Sequence, residues 1–251
     1  MSPPAMQTLQ PRVSVVVPAR NEAGNIAPVV AEIEAALAPI CPFEIIYVND
    51  GSTDGTSQEI LGLMASRPHL RQIRHEESCG QSAAVRTGVR AARAPVIITI
   101  DGDGQNDPSF MPAFLRALEA AGPLCGLVQG QRIGRKDTGF KRFQSRVANK
   151  VRGAILNDGT RDTGCGFKCF PRAVYLSLPY FDALHRFMPA LVRREGYTLA
   201  HVDVIDRPRH AGVSNYGFFD RLWVGILDLM GVRWLIRRRK RVPAVSEVSR
   251  S

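Results

Sequence analysis

The chain has 251 residues, 45% hydrophobic and 22% charged, which suits one large α/β domain with a short appendage and excludes a disordered or collagen-like chain. Thirty-three Lys and Arg against twenty-three Asp and Glu give a formal charge of +10, so part of the surface attracts anions: nucleic acid, anionic lipid or phosphorylated substrates.

Residues 1–11 are Pro-rich and aperiodic and are expected to form a disordered tail. From Val13 onward, short β-branched runs alternate with helical patterns. The periodicity predicts a strand over 13–17, a helix over 25–37, a strand over 44–49, a helix over 54–66, a strand over 70–75, a helix over 81–92 and a strand over 95–100. The second half is less regular. It predicts a strand over 124–131, a basic amphipathic helix over 141–156, a short strand over 164–170, a helix over 188–196 and an alternating strand over 198–206. This order implies a mostly parallel sheet flanked by helices, with ligands bound beyond the carboxyl ends of the strands. Three polar clusters, PARNE (Pro18 to Glu22), NDGSTD (Asn49 to Asp54) and DGDGQND (Asp101 to Asp107), would then share one rim.

The five cysteines, Cys41, Cys79, Cys125, Cys165 and Cys169, are odd in number and follow no framework. With no apolar leader before the first strand, they predict a reducing, cytoplasmic setting. Cys165 and Cys169 have no second Cys/His pair at ligand spacing, so no zinc–thiolate site is expected from them.

Asp101 and Asp103 alternate along an extended segment, so both carboxylates can face one way, and Gly102 allows close backbone approach to a ligand. Two hard oxygen donors at this spacing suit Mg²⁺ or Mn²⁺ shared with a diphosphate, with Gln105 adding a neutral oxygen. The same residues also read as a polar turn before a helix, with Asp107 as its cap and Pro108 at its first position. Asp54 reads as a helix cap, whereas Asp50 at a strand end offers a hydrogen-bond acceptor to a base or ribose.

The combination of strand-PARNE, strand-VNDGSTDGT, Cys79-Gly80-Gln81-Ser82 and strand-DGDGQNDP, in that order, resembles the family 2 glycosyltransferases of GT-A fold over roughly residues 12–215. Gly130-Gln131-Arg132, the segment carrying Arg142, Ser145 and Arg146, and Asp162-Thr163-Gly164-Cys165-Gly166-Phe167-Lys168 are similar to the branch that includes dolichyl-phosphate mannosyl synthase and bacterial polyprenyl-phosphate glycosyltransferases. Gly212 to Gly217 resembles that branch's Gly-x-Ser-Lys-Tyr pattern, with Asn215 in place of Lys. The resemblance implies a UDP- or GDP-sugar donor over Pro18, Ala19, Arg20, Asn21, Glu22, Asp50, Gly80, Gln81, Asp101, Gly102 and Asp103. It implies a metal on Asp101, Asp103 and Gln105, and sugar transfer with inversion to a polyprenyl phosphate, with a soluble or polysaccharide acceptor as the alternative within the same family.

A metal neutralises the nucleotide diphosphate as it leaves, and an acceptor phosphate is already an anionic nucleophile, so no strong general base is needed. Arg132, Arg142 and Arg146, with Ser145, are the candidates for the acceptor phosphate, or else form a solvated basic face. Asp162 orients acceptor or sugar hydroxyls, acts as a weak base, or pairs with an arginine. Asp103, Asp162 and Arg132 are the expected catalytic residues.

Residues 216–241 form the expected appendage, followed by a disordered tail over 242–251. On a helix, Phe219, Leu222, Trp223, Ile226, Leu227, Met230 and Trp234 share one face, and Arg237 to Arg241 follow. Asp220, Arg221, Asp228 and Arg233 interrupt the apolar runs well short of the roughly 18 residues of a membrane span. The segment reads as an interfacial helix drawn to anionic headgroups, or as a helix packed on the domain or a partner. The expected location is peripheral, on the cytoplasmic face of the cell membrane, with a membrane protein as a further partner. Nucleic acid is not expected, because no aromatic stacking pattern accompanies the basic residues and the rim carboxylates repel a phosphate backbone. A nucleotide-dependent oxidoreductase is excluded by PARNEAGN, which stands where Gly-x-Gly-x-x-Gly would follow the first strand.

Overall fold

The computed structural model describes residues 10–133, 152–153, 155–156, 158–207, 218–239 and 246. In chain order the elements are β1 (Val13–Ala19), α1 (Ile26–Leu37), β2 (Phe43–Asp50), α2 (Thr56–Met64), β3 (Leu70–His75), α3 (Gln81–Ala91) and β4 (Val96–Thr99). A 3₁₀ turn (Pro108–Phe110) then leads into α4 (Met111–Ala120), β5 (Cys125–Arg132), β6 (Lys168–Pro171), α5 (Arg172–Ser177), α6 (Leu184–Arg194), β7 (Thr198–Val204) and α7 (Phe218–Arg237). The expected basic helix over 141–156 and the 212–217 motif fall mostly or wholly outside the described residues.

The strands form one sheet in the order β3-β2-β1-β4-β6-β5-β7. β1, β2, β3 and β4 pair in parallel, as do β5 and β7, while β6 runs antiparallel to both β4 and β5. The sheet is therefore mostly parallel, as its alternation with helices requires. The reversed strand leaves no mark on local periodicity.

Both faces are covered, so the central strands are apolar on both sides. Val13, Val15, Val17, Ile45 and Tyr47 pack with Ile26, Ile33, Ile60 and Phe114 of α1, α2 and α4. Val16, Ile46, Val48 and Ile97 pack on the other face with Val85, Val89, Tyr175, Leu191 and Val232 of α3, α5, α6 and α7.

The parallel neighbours β2, β1 and β4 end on the same edge, which puts the three polar clusters together. Because β6 runs the other way, its amino end meets the carboxyl end of β4, with Thr99 opposite Lys168. The turn before β6, which carries Asp162 to Phe167, thereby reaches the same rim.

Among the described residues no helix is long and apolar enough to cross a membrane. α7 is apolar on more than one side. Val232 is buried, with Leu229, Leu235 and Ile236 packed on the domain, while Ile226, Leu227, Met230 and Trp234 remain exposed.

Candidate active site at the strand tips

The loops after β1 and β2 are joined by side-chain bonds that fix the PARNE segment. The Asn21 amide oxygen accepts from Thr53 N at 2.9 Å, Asn21 N donates to Ser52 Oγ at 3.0 Å, and Glu22 N donates to Thr56 Oγ1 at 2.8 Å. Asn21 has φ of 56°, which its short polar side chain tolerates. Asp54 accepts from Thr56 N and Oγ1 and from Ala23 N and so ties the two loops together; it is not the expected cap of α2, since Gly55 holds the N-cap position and Asp54 stands one residue before it. Arg20 is exposed at the rim.

Asp50 sits differently from its sequence expectation of an acceptor open to a base or ribose. Its carboxylate accepts from Cys79 N and His75 Nδ1 on one oxygen, and from Ser78 Oγ and Gly80 N on the other, at 2.7–2.9 Å. Four donors fill the acceptor capacity of a carboxylate, so Asp50 organises the loop that leads into α3. Burial alone would raise its pKa, but these hydrogen bonds outweigh it and hold the group below the usual carboxylate range. Sequence reasoning passed over His75 and Ser78, because neither carries a motif of its own. Their proximity to Asp50 comes from the β2–β3 pairing, in which Asp50 faces His75.

At the tip of β4, Asp101 accepts from Gln81 Nε2 at 2.8 Å, and its own N–H donates to Asn106 Oδ1 at 2.9 Å. Asp103 is buried and accepts from Gln105 N at 3.1 Å, while Gln105 O accepts from Arg207 N. Gly102 does permit a close approach, but to protein: a Cβ there would meet Pro18 O at 3.0 Å and Ala19 Cβ at 3.3 Å. Asp107 caps the following 3₁₀ turn through Ser109 N, with Pro108 at its first position.

The second half of the chain completes the rim. Arg132 at the end of β5 makes a fork to Asp162, with Nε to Oδ2 at 2.5 Å and Nη2 to Oδ1 at 2.9 Å, and reaches Asp206 beyond β7 at 3.4 Å. Burial works against the charged guanidinium, but the Asp162 hydrogen bonds and charge prevail and raise its pKa. Of the readings open for Asp162, the structure realises the ion pair. Lys168 is buried, with its ammonium donating to Cys165 O, and burial lowers its pKa. Arg142, Ser145 and Arg146 lie outside the described residues.

Asp101 feels this assembly directly. Burial pushes its carboxyl up to about 6, the Asp103 and Asp206 charges add to the rise, and Lys168 and Arg132 oppose it. Among the described residues, Asp103, Asp162 and Asp206 gather with Asp101 around Arg132 and Lys168. The hard oxygen donors of Asp101 and Asp103, side by side at the strand tip, are of the kind that suits a divalent cation of the Mg²⁺ or Mn²⁺ type. Asn106, Lys168 and Asp206 are neighbours of Asp101 to which the sequence assigned no role, although the first two lie within the quoted motifs. Asp206 closes an expected strand, which was its only signal.

A second group of ligand atoms lies across the rim: among the described residues, one atom each of Asp50, His75 and Cys79 lie within 4.8 Å of one another.

A family model described as Glycosyl transferase family 2 matches residues 14–178. The chain is 33% identical over 235 residues to the dodecaprenyl-phosphate galacturonate synthase of Rhizobium johnstonii, a match covering 91% of this chain and 68% of that protein. It is 31% identical over 209 residues to the undecaprenyl-phosphate 4-deoxy-4-formamido-L-arabinose transferase of Pectobacterium carotovorum subsp. carotovorum, covering 82% of this chain and 63% of that one. The chain thus spans about two thirds of the length of these relatives.

Among solved structures, glucosyl-3-phosphoglycerate synthase from Mycobacterium tuberculosis in complex with Mn²⁺, UDP and glucosyl-3-phosphoglycerate aligns with a TM-score of 0.66 at 18% identity, over 90% of this chain and 80% of that one. The same enzyme with Mg²⁺ and UDP aligns with a TM-score of 0.66 at 19% identity, over 90% and 79%. The architecture is the GT-A fold.

Proposed function

Because this chain belongs to glycosyl transferase family 2 and is a glycosyltransferase, we propose that it moves a monosaccharide from a nucleotide-diphosphate sugar to a polyprenyl phosphate, with inversion and with help from a divalent metal. The observation that carries the reading is the paired Asp101 and Asp103 at the tip of β4, where the Asp103 charge adds to the raised pKa of Asp101. The lipid acceptor is supported by the two curated relatives, both named for transfer to a polyprenyl phosphate.

Asp101 and Asp103 would hold Mg²⁺ or Mn²⁺, with Gln105 offering a neutral oxygen, and the cation would neutralise charge on the departing nucleotide diphosphate. The chain's own residues do the rest. Pro18 and Ala19 at the end of β1, with Arg20 to Glu22 in the loop tied to the β2 loop, form an edge on which a base and ribose can lie. Gln81 orients Asp101, and Asp50 holds the Ser78–Gly80 loop in place beside the donor. Asp162 holds the Arg132 guanidinium in one plane, ready to share its remaining N–H groups with the acceptor phosphate. Arg142, Ser145 and Arg146 would supply further phosphate donors. The acceptor phosphate is already ionised at neutral pH, so no residue is required to remove a proton from it.

The exposed apolar side of α7, with Arg233, Arg237 and Arg238 also exposed, would rest on the anionic cytoplasmic surface of the membrane, where the acceptor resides. A membrane protein partner is a further part of this reading. The test is incubation of radiolabelled UDP- and GDP-sugars with polyprenyl phosphate and Mg²⁺ or Mn²⁺, followed by organic extraction. Label is expected in the organic phase only with metal and acceptor present. Label confined to the aqueous phase across the donor panel overturns the lipid-acceptor reading.

A further inference from the structure

Asp50, His75 and Cys79 come from three chain segments: the end of β2, the end of β3 and the loop before α3. Their ligand atoms converge within 4.8 Å. We propose that this trio binds a borderline-soft divalent cation, with Zn²⁺ the best fit, at a site separate from the hard-oxygen pair Asp101 and Asp103.

A carboxylate, an imidazole and a thiolate are the ligand types zinc accepts, and a soft thiolate selects against Mg²⁺. Asp50 and an ionised Cys79 together bring two negative charges, matching a divalent ion. Cys79 is exposed, which leaves an entry path and a fourth position open to water.

The surrounding contacts supply what a metal-bound histidine needs. His75 Nδ1 lies 2.7 Å from Asp50 Oδ1, while Nε2 lies 3.0 Å from Thr87 Oγ1 on α3. A hydroxyl can donate or accept, so Thr87 can take a hydrogen bond from Nε2–H and leave the Nδ1 lone pair for the cation. The change of tautomer places the ring proton on Nε2, and the thiol proton passes to solvent on metal binding. Ser78 Oγ and Gly80 N stay on the other oxygen of Asp50 and keep that ligand oriented. The Cys79 sulfur makes a 3.5 Å contact with Glu77 O, a weak hold for a cation to displace.

The proposal does not rest on the transferase reading, and its test uses neither donor nor acceptor. The full chain, stripped of metal, is titrated with Co²⁺ in a large excess of Mg²⁺, and then with Zn²⁺. One equivalent of Co²⁺ is expected to give a thiolate-to-cobalt charge-transfer band that Zn²⁺ abolishes. Cys79→Ser should remove the band, and His75→Gln should weaken Co²⁺ binding at least tenfold, with thermal unfolding confirming that both variants fold. Thr87→Val, which leaves all three ligands intact, should keep the band and weaken binding. Absence of the band in the wild-type chain, its persistence in Cys79→Ser, or Co²⁺ uptake that Mg²⁺ suppresses completely would each overturn the site.

Discussion

At Gly166 the space a side chain would need is filled by Asp101, since a Cβ there would lie inside that carboxylate. Its φ is not in the left-handed region, so the requirement is room alone. Thr99 Oγ1 donates to Gly166 O at 2.7 Å and holds the backbone against the site. Gly166→Ala should therefore fold but lose at least tenfold in Mn²⁺ affinity, about 1.4 kcal/mol, measured by the electron-spin signal of free Mn²⁺. Unchanged affinity would remove Asp101 from the metal site. Asp103→Ala should abolish sugar transfer while keeping the thermal transition, and wild-type turnover in that variant would refute its role. The Asp101 pKa of about 6 adds a pH dependence. If Asp101 holds the metal as proposed, protonation below that value removes its carboxylate as a ligand, so Mn²⁺ affinity should fall between about pH 7.5 and about pH 5. Asp101 and Asp103 were legible in sequence because one short motif holds both. Lys168, Asn106 and Asp206 were not, because only tertiary structure gives them a common neighbour. The filled coordination of Asp50 was hidden for the same reason.

α3 and α6 meet through a half-buried polar pair: His185 Nδ1 lies 2.7 Å from Ser82 Oγ, each residue in the first turn of its helix. Burial, with the Lys168 and Arg186 charges, pushes the His185 pKa down to about 3 from 6.5. The folded state keeps the ring neutral while the unfolded chain protonates it, so below about pH 6.5 the unfolded state binds more protons. Stability should decline as pH falls from about 6.5 towards about 3, by an amount on the order of a few kcal/mol. His185→Gln, which keeps a hydrogen-bonding side chain without a titrating one, should flatten this limb in urea unfolding measured across that range. An equally steep limb would show that other groups carry it. The elements up to β4 were legible because local periodicity and turn residues agree there. α6 was expected to begin at 188, but it begins at Leu184 and carries Pro189 inside, a residue whose missing N–H usually marks a helix start. The polarity of β6 was illegible because strand direction is a property of pairing.

α7 joins two environments, with Val232 buried against the domain and Leu227, Met230 and Trp234 more than half exposed. The chain has two tryptophans, Trp223 and Trp234, and both belong to this helix. Intrinsic tryptophan emission therefore reports on α7. Anionic vesicles should shift it to the blue, added salt should partly reverse the shift, and Leu227→Asp with Met230→Asp should remove it. Emission indifferent to vesicles would argue that another surface meets the membrane. The hydrophobicity of this segment was plain in sequence. Its division between the domain and the outside depended on where α6 lies. In the order of the sheet, β5 and β7 reach the β1–β4 half through β6, a strand of four residues. β4 and β5 are synthesised well before β6, and β7 follows it, so the emerging chain holds a four-stranded fragment and the single strand β5, whose facing edges wait for the same short segment. Until Pro171 has left the ribosome those edges are open to mispairing, and the late, brief event of closing this seam is also the one that assembles the two halves of the rim.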